Sequence, residues 1–242
     1  MNLCIDQGNS STKVGLFNQD ELIEDFSYEL FGKNELSELV NKYSINSCII
    51  SSVLSENTVL VDELKKKIPY TIELSYKTSI PITNSYSTPE TFGNDRLAAV
   101  IGAAYLKPGM NVLVIDAGTA ITYDLIESNL NYVGGNIAPG LMMRLRSLHE
   151  FTQKLPAVSP KTESPFLGNS TESAMISGAI YGIVFEIDGY IDALKIKYQQ
   201  LSTFLTGGST FYFDTKLKNA IFAERNLVLI GLNRILQYNV QK

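Results

Sequence analysis

Cysteine and histidine are nearly missing from this sequence, and their scarcity removes whole classes of chemistry. The two cysteines, Cys4 and Cys48, each sit inside an apolar run that reads as a strand. Buried thiols are expected there, and no disulfide framework. His149 is the only histidine, so no Cys, His or Asp cluster has zinc-ligand spacing, and no nucleophile-elbow motif supports a Ser-His-Asp hydrolase. Excess charge of one sign is also lacking: 20 basic against 25 acidic residues leave a net charge of −5. That mild acidity offers nothing to a phosphate backbone, and Lys65-Lys66-Lys67 is a solvated helix end, so no nucleic-acid partner is expected. Long apolar runs are absent as well. The longest, Ile176 to Phe185, meets Glu186 and Asp188 before it reaches membrane-spanning length, and no basic segment precedes Leu3. No membrane association is expected, and a cytoplasmic protein is. Asn9-Ser10-Ser11 and Asn169-Ser170-Thr171 are then chance matches to a glycosylation pattern. What remains, 45% hydrophobic and 19% charged over 242 residues, is the balance of a soluble globular chain with one large or two moderate domains.

The chain opens MNLCIDQGNSSTK, and this stretch has an echo at VIDAGTAITYDLI, residues 114–126. A shift of 110 residues superposes Asp6 on Asp116, Gly8 on Gly118, Asn9 on Thr119, Thr12 on Thr122 and Leu16 on Ile126. Two strands thus end in Asp-x-Gly, and each copy continues through a second β-like run and a polar turn into a third, as in a meander. Further along each half, strand and helix alternate. Residues 46–53 read as a buried strand between helical stretches at 35–43 and 55–67. A long helix over 173–200, with Gly178, Gly182 and Gly189 inside it, leads to a strand at 202–206 and a closing helix near 227–238. The pattern predicts two α/β domains of similar plan, 1–109 and 110–242, meeting near Gly109 with a cleft between them.

Three small-residue loops follow strands, at Gly8-Asn9-Ser10-Ser11-Thr12, Gly118-Thr119 and Gly207-Gly208. Glycine removes the Cβ that would keep backbone from a ligand, and neighbouring amides and hydroxyls can hold phosphate oxygens. An Asp at a strand end can hold a cation or its bound water, and Lys13 can neutralise phosphate as a point charge. Either Asp-x-Gly motif alone reads as a hairpin turn; their duplication favours a phosphate-binding role. Neither a P-loop nor a Gly-x-Gly-x-x-Gly motif is present. The Gly134-Gly135-Asn136 and Pro139-Gly140 turns follow a strand of the second copy and either shape the same cleft or are ordinary turns. The remaining constellation is FGNDRLAAVIGAA, residues 92–104. Asn94 or Asp95 reads as a helix N-cap, and the small residues that follow require close packing against a partner. Asp95 beside Arg96 also offers a carboxylate base and a guanidinium donor in one place, and spacing leaves capping and catalysis equally open.

Taken together, IDQGNSSTK, GNDR, IDAGTA, GGNIAPG, GNSTESAMISG and TGG resemble, in that order, the type III pantothenate kinase family. The resemblance covers nearly the whole chain. It implies two tandem ribonuclease-H-like domains of the actin-like ATPase superfold, with a nucleotide cleft between them. The implied activity is ATP-dependent phosphorylation of pantothenate to 4'-phosphopantothenate, the first step of coenzyme A biosynthesis, by a homodimer using Mg²⁺ and a monovalent cation, K⁺ or NH₄⁺. Carried over by residue, the ATP site would comprise Asp6, Gln7, Gly8, Asn9, Ser10, Ser11, Thr12, Lys13, Thr119, Gly207 and Gly208, with Asp6 near Mg²⁺. Asp116 would bind the monovalent cation. Tyr86, Gly93, Asn94, Asp95, Arg96 and Thr171 would contact pantothenate, with Asp95 the general base; for Arg96, pairing with substrate and stabilising developing charge stay open. A catalytically inactive nucleotide-binding protein of the same fold is the alternative, and a kinase for another small hydroxylated acid is a third reading.

Overall fold

A computed structural model describes residues 1–8, 11–53 and 58–240. In chain order its elements are β1 (Asn2–Gln7), β2 (Thr12–Asn18), β3 (Glu21–Tyr28), α1 (Lys33–Lys42), β4 (Ser47–Ser52), α2 (Thr58–Lys67), β5 (Tyr70–Glu73), β6 (Thr83–Asn84), α3 (Asn94–Leu106), β7 (Asn111–Ala117), β8 (Ala120–Ile126), β9 (Asn131–Pro139), α4 (Leu141–Glu150), α5 (Thr171–Lys197), β10 (Leu201–Thr206), β11 (Phe222–Ala223) and α6 (Leu227–Val240). They form two compact units. One contains residues 1–108, 129–132 and 226–242; the other contains 109–128 and 133–225.

In the first unit the sheet order is β3-β2-β1-β4-β5. β1 pairs antiparallel with β2 and parallel with β4. Leu3, Ile5, Val14, Leu16, Cys48 and Ile50 share one buried cluster with Leu36 and Leu39 of α1 and Leu60 and Leu64 of α2. On β1 and β4 also lies α6, which in turn packs on α3. This last contact is the close approach that the small residues of α3 require. A Cβ added to Gly231 would stand 1.7 Å from the Ala98 carbonyl oxygen, and one added to Gly102 2.4 Å from the Leu227 carbonyl oxygen. The helix backbones therefore touch, and only glycine fits at the crossing.

The second unit repeats the plan. Its sheet runs β9-β8-β7-β10-β11, with β7 antiparallel to β8 and parallel to β10. Strand for strand this is the order of the first unit, so the internal repeat is a repeat of topology. The two-residue β6 pairs parallel with Asn131 and Tyr132, within the first unit. Pairing also corrects the repeat's alignment. Gln7 faces Thr12 but Ala117 faces Ile121, so the first loop is one residue longer. The offset is 110 before the loop and 109 after it. Thr12 corresponds to Ile121 and Leu16 to Leu125, and the match of Thr12 to Thr122 is coincidental.

Three further expectations change. Gly134-Gly135-Asn136 is no turn but part of β9, with Gly134 at φ +146°. α3 starts at Asn94, with Gly93 as its N-cap. And the long helix expected over 173–200 is α5, whose 27 residues continue past Glu186 and Asp188, where the apolar run was expected to end. By length and composition α5 is long and apolar enough to cross a membrane. It is also the central helix of the second unit's core, contributing Ile176, Ile180, Ile183, Ile187 and Ile191 beside Leu113, Ile115, Leu145 and Leu205. Of Gly178 and Gly182, which would let this helix approach a neighbour closely, Gly178 has nothing within 4 Å of an added Cβ and Gly182 has Arg144 Nη1 at 3.7 Å; Gly189 is open like Gly178.

Candidate active site

The parallel pairs β1–β4 and β7–β10 place the C-terminal ends of adjacent strands side by side, where ligands of such sheets bind. In the first unit Asp6 lies across from Lys13 on β2 and from Ser51 on β4. Gln7 is buried; its side-chain oxygen accepts from Ser52 Oγ at 3.0 Å and its carbonyl from the Val53 amide at 3.1 Å. Gly8 N–H donates to the Ser11 carbonyl at 3.1 Å. Thr12 is buried, whereas Asp6, Gly8, Ser11 and Lys13 are half-buried. Asn9 and Ser10, both expected ATP contacts, lie outside the described residues.

The second candidate group of this unit gathers at the start of α3. At Gly93 a Cβ would come within 2.6 Å of Asp95 Oδ1 and press on that side chain. Asn94 donates from Nδ2 to the Leu74 carbonyl at 2.9 Å, tying the helix start to the end of β5. Asp95 is half-buried, and its Oδ1 accepts from the Arg96 amide at 2.8 Å. Arg96 is only 7% exposed. Its guanidinium stands 5.0 Å from the Phe92 ring centre and 5.9 Å from that of Tyr86, and Nη2 donates to the Tyr132 hydroxyl at 3.2 Å. Phe92 and Tyr132 stack at 4.7 Å, and Tyr86 lies 5.0 Å from Phe92. An aromatic cage of this kind fixes a guanidinium and raises its electrostatic value by excluding water. Tyr86 and Gly93–Arg96 are thus brought together as expected. Phe92 and Tyr132 had no role in the sequence reading; the signal for Phe92 was its place directly before GNDR, and for Tyr132 there was none.

In the second unit Asp116 lies across from Thr122 on β8 and Thr206 on β10. Gly207 has φ +98°, and a Cβ on it would stand 2.4 Å from Asp116 Oδ1 and 2.6 Å from the Ala117 carbonyl oxygen. Asp116 and the Ala117 backbone thus approach Gly207 as closely as only glycine allows. The Ser209 amide donates to the Ala117 carbonyl at 2.9 Å, holding the TGG turn on β7. Thr119 and Gly208 are exposed. Gly140, the N-cap of α4, donates to the Thr119 carbonyl at 3.2 Å, and a Cβ on it would meet the Thr119 and Gly118 carbonyl oxygens at 2.3 and 2.5 Å. The GGNIAPG segment is therefore docked on the IDAGTA loop. Thr171 is exposed as the first residue of α5, after Ser170, whose hydroxyl accepts from the Ser173 amide.

Oxygen donors of this kind suit hard cations. At the Asp116 loop the donors that would hold one are the Asp116 carboxylate and neighbouring backbone carbonyls. Among the described residues no group of three or more His, Cys, Asp or Glu gathers as a metal site, so Mg²⁺ would be held by one or two carboxylates, water and substrate phosphates, its usual manner.

The family profile described as Type III pantothenate kinase matches residues 2–193. The chain belongs to the type III pantothenate kinase family. A type III pantothenate kinase from Phocaeicola vulgatus is 51% identical over 240 residues, covering 99% of both chains. Solved structures extend the likeness to the fold alone. The activator of the 2-hydroxyisocaproyl-CoA dehydratase from Clostridium difficile, solved with bound ADPNP, aligns at TM-score 0.53 and 11% identity over 98% of this chain and 93% of its own. A ROK family glucokinase from Streptomyces griseus, in complex with glucose and AMPPNP, aligns at TM-score 0.52 and 11% identity over 100% of this chain and 99% of its own. The two repeated sheets thus share the fold of ribonuclease-H-like, actin-like ATPase domains, the fold class that the resemblance implied.

Proposed function

We infer that the chain catalyses ATP-dependent phosphorylation of pantothenate to 4'-phosphopantothenate, which opens coenzyme A biosynthesis. The observation that carries this reading is the start of α3. There, in a member of this kinase family, Asp95 stands in the first turn beside an Arg96 caged by Tyr86, Phe92 and Tyr132. Pantothenate presents a carboxylate and hydroxyls. Arg96 supplies positive charge toward the carboxylate, Tyr86, Gly93, Asn94 and Thr171 contact the rest, and Asp95 orients the primary hydroxyl and takes its proton. The transition state of phosphoryl transfer is loose, so most of the rate comes from positioning and charge neutralisation. Residues Asp6 to Lys13 cradle the ATP phosphates with Lys13 as a point charge, and Thr119, Gly207 and Gly208 complete the nucleotide contacts. When bound at Asp6, Mg²⁺ supplies neutralisation of phosphate charge; K⁺ or NH₄⁺ at Asp116 supplies a fixed positive charge nearby.

The enzyme is read as a cytoplasmic homodimer, with no membrane or nucleic acid as partner. The dimer draws support from α5, where Gly178 and Gly189 expose bare backbone and Phe185 and the adjoining Phe166 are 59% and 60% exposed. Light scattering is expected to give twice the chain mass, and a monomer at micromolar concentration removes this part of the reading. An inactive nucleotide-binding protein would have no use for the substrate side that Tyr86, Asp95, Arg96 and Thr171 make. A coupled assay with ATP and a panel of pantothenate, sugars and acetate separates the readings, with turnover expected on pantothenate alone.

Two further results are expected. Titrating K⁺ or NH₄⁺ into cation-free enzyme should stimulate turnover, and no stimulation removes Asp116 from its role. Tyr132→Phe keeps the ring stacked on Phe92 but removes the hydroxyl that accepts from Arg96. One neutral partner of a charged donor is worth about 1.5–3 kcal/mol, so the KM for pantothenate should rise roughly tenfold or more with the KM for ATP unchanged.

A further inference from the structure

Arg144 and Glu186 have no part in the roles above, yet they join four elements near the IDAGTA loop: β8, β9, α4 and α5. Arg144, in the first turn of α4, donates from Nε to the Pro139 carbonyl at 2.8 Å and from Nη2 to Glu186 Oε2 at 2.6 Å. Glu186, on α5, accepts at its other oxygen from the Tyr123 hydroxyl at 2.7 Å. Tyr123 belongs to β8, which leaves the loop. Pro139 ends β9 and is followed by Gly140, whose amide and bare Cα rest on the Thr119 and Gly118 carbonyls. One hydrogen-bonded chain thus runs from the strand after the loop, through Glu186 and Arg144, to the glycine seated on the loop itself. Both charged side chains are about one-quarter exposed. A lone pair so placed contributes little to stability. This arginine differs in that its second donor ends on a backbone carbonyl one residue from a functional contact, so its geometry is transmitted.

We propose that Arg144 is a positioning residue: clamped by Glu186, it fixes the Pro139-Gly140 turn and so aligns the Gly118-Thr119 backbone for the monovalent cation and the nucleotide. The proposal rests on the reading of Asp116 and Thr119 given above. It explains why the second Asp-x-Gly loop needs an arginine from α4, since Gly140 has no side chain with which to hold its own position. It also separates arginine from lysine. Lysine can pair with Glu186 as a point charge but cannot donate in two fixed directions at once.

The test compares Arg144→Met, Arg144→Lys and Glu186→Gln in the full chain by two measurements. The first is amide hydrogen exchange at Gly118 and Gly140, which needs no activity. The second is the K⁺ concentration for half-maximal activation, with KM for ATP and pantothenate. For Arg144→Met, exchange at these amides should quicken about tenfold, and the K⁺ requirement should rise about tenfold. KM for pantothenate, and kcat at saturating K⁺, should stay within twofold of the parent. Arg144→Lys and Glu186→Gln should fall between, and they carry the test if Arg144→Met fails to fold. Unchanged exchange with an unchanged K⁺ requirement overturns the proposal, as does a loss of kcat alone, the mark of a general structural defect. If the parent chain does not phosphorylate pantothenate, the functional reading falls and the exchange result alone decides: quickened amides uphold the clamp, unchanged amides overturn it.

Discussion

Asp95→Asn should lower turnover by roughly 10²–10⁴-fold, the range for losing a general base, while ATP binds with unchanged affinity. The substitution is nearly isosteric. An asparagine Oδ1 can still accept from the Arg96 amide, as the carboxylate does at 2.8 Å, so the helix start and the aromatic cage should survive. What is lost is the ability to take the hydroxyl proton. Steady-state kinetics with pantothenate should therefore show the fall in kcat, and calorimetry with a non-hydrolysable ATP analogue should show none in binding. A turnover within a few-fold of the parent would remove Asp95 as the base and leave it the part of a helix-end residue. Gly93 offers a second approach to the same carboxylate. A methyl group there would stand 2.6 Å from Asp95 Oδ1, so Gly93→Ala should displace the carboxylate and lower kcat while leaving an acid in place. Equal losses in both variants point to the position of the carboxylate as well as its charge.

Much of this was legible in the sequence, for identifiable reasons. Strands ending in Asp-x-Gly announce themselves because both the apolar run and the small residues after it are local. The two-fold plan followed from their duplication, and the strand order of the two sheets repeats it. Less was legible wherever a distant residue decides. The one-residue difference between the loops was hidden by the accidental match of Thr12 and Thr122, and only cross-strand pairing reveals it. Tyr132 lies 36 residues from Arg96 in the chain, beyond any local pattern. Glu186 and Asp188 counted as the end of an apolar run because their partners were out of sight: Arg144 and Tyr123 for Glu186, the Lys218 and Asn219 amides for Asp188. The buried helix accommodates both acids because those partners are supplied from elsewhere in the unit. The closing helix α6 belongs to the first unit, a return that no boundary drawn near Gly109 could express.

The largest effect on stability is expected from Gly231→Ala, where two opposing contributions can be weighed. Alanine in a helix interior is favoured over glycine by about 1 kcal/mol, and at an open site the change would stabilise. At Gly231 the methyl would stand 1.7 Å from the Ala98 carbonyl oxygen and 2.5 Å from its carbon. Neither atom can move aside as the end of a flexible side chain can, because both belong to the backbone of α3. The helices must part, and parting them withdraws Leu229, Leu232, Ile235 and Leu236, all fully buried, from their present packing. Overpacking costs about 1–3 kcal/mol where side chains can yield and more where they cannot, so a net loss of at least about 3 kcal/mol should win over the propensity gain. For a chain of this size, 1 kcal/mol corresponds to roughly 2–4 °C in Tm, and thermal unfolding should shift down by about 6–12 °C or more. Gly102→Ala should act in the same direction from the facing helix, with its methyl 2.4 Å from the Leu227 carbonyl oxygen and 3.0 Å from the Gly231 nitrogen. Because both methyls would wedge open one crossing, the double variant should cost less than the sum of the two, a non-additivity expected of touching sites. A Tm unchanged or raised in Gly231→Ala would mean that the two helices do not meet backbone to backbone. In that case the small residues of GNDRLAAVIGAA would need another explanation.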